Sequence, residues 1–325
     1  MRVDNVKKAS AHAAKVTELD LSEKNLARLP EAVRALKKLR VLTLPGNRIR
    51  DLPDWLPELE RLRELDYVGN DLKKIPETVG RLAGLEVLKL GMAPFRALPE
   101  SLRALTKLAR LELSYVQLSE LPEWFAESAI EDLTIVDASR MKTLPSVIGQ
   151  MQKLRRLELS ELPLNELPGW LGQLPLDELV LGAMPLEVLP SSLFANPLRS
   201  LALRDLDHVG IPVELAKMKG LRVLTVCPSD SQVGEDFVPS ALGKLTSLEE
   251  LHLVNVPFSN LPTWLGKLKR LRRLTIFGEG LTKPPKVLGS MAALEFLDLG
   301  YAPGLEGMET AVQALVPNAE LVMAT

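Results

Sequence analysis

The chain has 325 residues, 46% hydrophobic and 25% charged, with a formal net charge of -2 and one cysteine. With no excess of Lys and Arg to neutralise phosphates, nucleic acid and anionic membrane are poor partners. No apolar run reaches the roughly 18 residues of a membrane span, the opening MRVDNVKKASAHAAK is too charged for a secretory leader, and a lone Cys227 excludes an internal disulfide.

In chain order, residues 1–15 read as an N-terminal cap, with a helix expected over 3–14. A pattern then begins of LxxLxL, a variable stretch, Leu-Pro and a short apolar-periodic tail. It starts at Val16, Leu39, Leu62, Leu85, Leu108, Ile130, Leu154, Leu176, Leu198, Leu221, Leu248, Leu271 and Leu294, mostly 22 to 24 residues apart. That period is the signature of a leucine-rich repeat. The LxL core has the period-2 alternation of a strand with Leu inward, and the Pro suits the first turn of a helix or 3-10 segment. Residues 305–325 close the array as a C-terminal cap ending in the strand-like AELVM. No linker or compositional break divides the chain, so one domain is expected over 1–325, with about thirteen repeats in 16–304. The predicted fold class is α/β, a leucine-rich-repeat solenoid (curved horseshoe) with a parallel concave sheet and short helices or 3-10 segments on the convex side.

Several columns of this array carry further expectations. All four tryptophans, Trp55, Trp124, Trp170 and Trp264, are the second residue after a Pro. That column is expected to be half exposed, the rings cladding gaps between helical segments, while the third residue (Val33, Leu56, Phe125) is buried. Asn25, Asn47 and Asn70 fill the turn after the strand, where an Asn bonds backbone groups of adjacent turns. Later repeats place Ala93, Val116, Leu162, Met184 or Val256 there, and their turns need another means of satisfying the backbone, such as water. Tyr67 replaces an inward Leu, so its hydroxyl needs a buried partner. The repeat from Leu221 runs longer than the others, through CPSDSQVGEDFVP, which makes residues 229–236 a candidate binding loop.

Function in such an array belongs on the outward positions of the sheet. In the first eight repeats these hold more acids than bases, with Asp66, Glu112 and Glu158 prominent and Tyr115 nearby. Either the charges pair across neighbouring strands, or they form an acidic groove for a basic segment of a protein partner. In the later repeats the same columns hold Val223, Cys227, His252, Val254, Phe277, Phe296 and Tyr301. Aromatic groups on an open sheet are anchor candidates unless the inner curve or the C-terminal cap covers them. An alternative reading is a cysteine-dependent enzyme using Cys227 with His252, which stand outward on adjacent strands. No third orienting group is evident for that pair, and His12 and His208 are too isolated for a metal site. The expectation is therefore a monomeric, non-catalytic protein-recognition module without cofactor or metal.

The repeats LRVLTLPGNRIRDLPDWLPELER and LRELDYVGNDLKKIPETVGRLAG resemble the intracellular Ras-group leucine-rich repeats. LRRLELSELPLNELPGWLGQ and IEDLTIVDASRMKTLPSVIGQMQK are more similar to repeats of plant immune receptors and of bacterial type III effectors. The first resemblance implies a signalling scaffold and the second an effector acting in a host cell; the lone cysteine and the charged start favour a reducing, cytoplasmic location, the host's in the second case.

Overall fold

The computed structural model describes the chain except residues 207–209, 230–233, 235–236, 257, 278–279 and 325, and the side chains at 301 and 324. The chain forms two compact bodies, Met1–Leu164 and Asn165–Thr325. In the first, β1 (Arg2–Val3), β2 (Glu18–Asp20), β3 (Val41–Thr43), β4 (Glu64–Asp66), β5 (Val87–Ala93), β6 (Arg110–Val116), β7 (Asp132–Ala138) and β8 (Arg156–Ser160) lie side by side, all parallel and in chain order. The second orders β9 (Glu178–Gly182), β10 (Ser200–Arg204), β11 (Val223–Cys227), β12 (Glu250–Val254), β13 (Arg273–Phe277), β14 (Phe296–Tyr301) and β15 (Glu320–Ala324) in the same way. Each repeat supplies one strand, β2 to β14, and β1 and β15 extend the two ends.

The near-constant spacing holds the register. Leu42, Leu65, Leu88, Leu111, Leu133 and Leu157 occupy one column across the first body, all buried. Leu179, Leu201, Leu224, Leu251, Leu274 and Leu297 repeat it in the second. A strand this short is stable only because its leucines stack on those of its neighbours, the defining energetics of a repeat array.

The helical segments are 3-10, mostly five residues long, as at Glu31–Ala35, Glu77–Arg81 and Glu123–Glu127. A repeat of this length leaves room for little more than one turn, which favours i→i+3 bonding. Pro stands one place earlier than expected, as the residue before the segment: Pro30 is extended at φ -62° and ψ 134°. Its carbonyl accepts from the Val33 amide at 3.0 Å. Among the described residues only α1 (Val6–Ala11) and α2 (Glu309–Leu315) are α-helical. The first is shorter than the expected 3–14, because Arg2 and Val3 pair with β2 and the Asn5 side chain caps the helix by accepting from the Lys8 amide at 2.8 Å.

The tryptophan column is less exposed than expected. Trp124 and Trp264 are buried, and Trp55 and Trp170 half-buried. Trp264 stands over Gly243 of the preceding repeat, where an added Cβ would lie 2.9 Å from the Trp264 Cβ.

Asn47 and Asn70 form the expected ladder. The Asn47 amide donates to Leu21 O at 2.8 Å and Leu44 O at 2.7 Å, and its Oδ1 accepts from the Leu26 amide at 2.9 Å. Asn70 donates to Leu44 O at 3.0 Å and accepts from the Ile49 amide at 3.1 Å. Asn25 corrects the sequence reading: it is exposed, with φ 55°, one residue beyond the ladder site. The next three repeats satisfy this part of the turn by strand pairing. β5, β6 and β7 lengthen to seven residues, so that Ala93, Val116 and Ala138 continue the strand pairing where Asn would have stood. Tyr67 is buried as required, its hydroxyl donating to Ile49 O at 3.1 Å.

Candidate functional site

On the face of the first body's sheet opposite the leucine core, the central outward position of each strand forms a row in register: Asp20, Thr43, Asp66, Lys89, Glu112, Thr134 and Glu158. One place toward the N-terminal end of the strands lies a second row that includes Glu64, Arg110, Asp132 and Arg156. Much of this charge is paired. Asp132 is held between Arg110 at 2.6 Å and Arg156 at 3.1 Å, and Arg156 also reaches Glu158 at 2.6 Å. Lys89 stands between Asp66 and Glu112 in register, yet its ammonium lies 3.3 Å from Glu64.

The three acids singled out by sequence therefore differ. Glu158 is neutralised by Arg156. Asp66 is half-buried and accepts only from the Val68 amide, at 3.2 Å. Glu112 is half-buried and, among the described residues, makes no hydrogen bond and no ion pair. Burial lifts the Asp66 carboxyl above its ordinary range, with the Val68 amide and Lys89 opposing. Burial also raises Glu112, opposed by Lys89 and reinforced by Asp66 and Glu158.

Beside this row runs a feature the sequence reading missed. The residue just past each strand core adopts a left-handed conformation. It is Gly46 and Gly69 in two repeats, where Gly carries no steric penalty. In others it is Glu23, Met92 at φ 49°, Tyr115 at φ 53°, Asp137 and Glu161. For a residue with a Cβ this backbone costs about 1 kcal/mol or more. The same geometry projects the side chain outward: Met92 is 61% exposed and Tyr115 50%. The two adjoin, since their flanking residues pair across β5 and β6. Only Gly46 and Gly69 signalled this column in the sequence.

In the second body Val223, Cys227, His252, Val254, Phe277 and Phe296 are all half-buried on the sheet face. The aromatic rings are partly covered by neighbours. The Arg273 guanidinium lies 4.3 Å above the Phe296 ring centroid. Phe277 lies against Gly300, where an added Cβ would run into its ring. Tyr301 ends β14, and its side chain lies outside the described residues. So do His208 and most of the 229–236 loop.

Cys227 and His252 stand on neighbouring strands of one face, but His252 registers with Thr225, two positions before Cys227. That separates them by roughly 6–7 Å along the strand. The third group that the sequence reading did not find is Glu250, whose Oε2 lies 3.6 Å from His252 Nε2. Among the described residues no group of His, Cys, Asp and Glu could hold a metal ion. No described helix is long and apolar enough to cross a membrane.

A parallel strand, a turn and a 3-10 segment, repeated with Leu at the same buried strand position each time, define a leucine-rich-repeat solenoid, a fold that typically serves protein–protein interaction. Residues 15–133 match the family model of the leucine-rich repeat region, and the same strand and 3-10 repeat continues beyond them. Its fold is similar to that of the Leptospira interrogans LRR protein LIC12759, at 22% identity, 99% coverage of both chains and a TM-score of 0.61. An internalin, InlF, from Listeria monocytogenes is similar at 19% identity over 98% of this chain and 91% of that one, with a TM-score of 0.55. The plant peptide hormone receptor RGFR1, solved in complex with RGF2, is similar at 23% identity over 93% of this chain and 51% of that one, with a TM-score of 0.54. None of the curated proteins matches the chain by sequence.

Proposed function

We propose that this chain is a non-catalytic recognition module whose first body takes, on its sheet face, a protein segment carrying a basic residue next to an apolar one. The observation that carries this reading is Glu112, half-buried without a cation of its own, beside the exposed pair Met92 and Tyr115. A guanidinium or ammonium brought to Glu112 and Asp66 would supply the charge that Lys89 gives to Glu64. Met92 and Tyr115 would pack the neighbouring apolar side chain, Tyr being favoured at such anchors and Met adapting to varied shapes. The RGFR1 complex is a case of a similar fold solved with a partner. On the second body, Val254 and Phe277 pair in register and would act as an independent apolar anchor, whereas Val223 and Phe296 lie in another row, parted by Glu250 and Arg273. The single cysteine supports a reducing, cytoplasmic setting, as a scaffold or as an effector within a host.

Selection of displayed random peptides on the intact chain tests the proposal. Enrichment of Lys or Arg next to an aliphatic or aromatic residue is expected, and loss of that enrichment on Glu112→Lys with Asp66→Lys. Acidic or uncharged winners, or the same winners on the double variant, would remove the sheet face as the site.

A further inference from the structure

We propose that a cavity on the 3-10 side of the first body binds a small amphipathic carboxylate, independently of the sheet face. The sixth residue after Pro is a buried leucine in the first four repeats: Leu36, Leu59, Leu82 and Leu105. The repeat beginning at Leu108 is one residue short, and this position becomes Ser128, whose hydroxyl turns back to donate to Phe125 O at 2.8 Å. The backbone also leaves the 3-10 path here: ψ is 161° at Ser128 against 66° at Leu105.

What remains is a cavity of about 330 Å³ with Leu105, Leu108, Trp124 and Ile130 in its wall. It is on the order of ten water volumes and lies within the range of small-ligand sites. Another shortened repeat shows that such a gap can be closed from within. There the sixth residue is Asn196, which is buried and donates to Leu174 O at 2.8 Å and Gly172 O at 3.2 Å. Ser128 does not close its own.

Two further observations give the ligand its chemistry. The indole Nε1 of Trp124, a residue 7% exposed in the cavity wall, is buried without a hydrogen-bond partner. Of the charged residues in the lining, Arg103 and Glu127 pair with each other at 3.1 Å, whereas Lys153 has neither ion pair nor hydrogen bond among the described residues. A wall part apolar and part polar and an uncommitted ammonium at its rim fit a short acyl or aryl chain ending in a carboxylate, with the Trp124 Nε1 itself shielded behind the wall surface.

The test is calorimetric titration of the intact chain with octanoate and, for comparison, 1-octanol. Octanoate is expected to bind one-to-one. Ser128→Leu, which restores the missing leucine, is expected to abolish binding without lowering Tm. Lys153→Gln, an exposed substitution that leaves the fold intact, is expected to weaken octanoate roughly fivefold or more and leave octanol unchanged. No binding by the wild type at millimolar octanoate, or equal binding by Ser128→Leu, would overturn the site. Octanoate affinity unchanged in Lys153→Gln would overturn the carboxylate assignment, whatever the fate of Ser128→Leu.

Discussion

Glu112 carries both a stability consequence and a functional one. Its carboxyl titrates above the ordinary glutamate range in the folded chain because it is half-buried, with Lys89 only partly compensating. A folded-state pKa raised above the unfolded one means that ionisation costs stability at neutral pH. The cost fades as pH falls through the raised native value and is gone below the ordinary glutamate range. Glu112→Gln should therefore raise Tm near pH 7 and leave it unchanged near pH 3, read by circular dichroism. A fall in Tm near pH 7 would reveal a stabilising partner for the carboxylate. Trp124 sits at the other extreme, 7% exposed and stacked on Phe125 at 4.5 Å between ring centroids. Trp124→Ala should cost about 3 kcal/mol in urea denaturation, and the half-buried Trp170→Ala about 1 kcal/mol. Equal costs would mean that the two rings share one environment after all.

The repeat itself was the most legible element in the sequence. Leu recurs at the inward strand position of every repeat, and a parallel ladder with period-2 side chains admits only one register for such a pattern. Deleting Leu62 to Gly84, one whole repeat, should leave a folded chain of lower Tm. Deleting half of that stretch, which breaks register, should unfold the first body, because each repeat is stabilised only by its neighbours. A folded product from the half deletion and an unfolded one from the whole would contradict the repeat assignment. Less legible were the turns. Asn25 lies one residue off the ladder site, a shift visible only in the backbone path. The left-handed column was hidden because Met92, Tyr115 and Glu161 are not residues that signal such a conformation, and only Gly46 and Gly69 do. The lengthening of β5 to β7 in place of an Asn ladder left no mark in residue type beyond the loss of Asn itself.

At the scale of the whole molecule, a net charge of -2 conceals local order that composition could not assign. The sequence placed Asp66, Glu112 and Glu158 together on one face, and the register confirms that row. Which of the three is neutralised depended on how far arginine side chains reach along and across strands: Arg156 spans Asp132 and Glu158, and Lys89 turns to Glu64. Such pairings are set by rotamer and cross-strand distance, not by spacing in the chain. The central claim is that the remaining charge, at Glu112 and Asp66, recruits a basic segment while Met92 and Tyr115 hold it. Stopped-flow association of a peptide selected on the intact chain tests this most directly, at low and high salt. Glu112→Lys with Asp66→Lys should slow association at low salt and flatten its salt dependence, since steering acts on the encounter and is screened within about 8 Å at physiological ionic strength. Met92→Ala with Tyr115→Ala should leave association nearly unchanged and speed dissociation about tenfold or more. Association rates and salt dependence identical in the charge variant and the wild type would contradict the account.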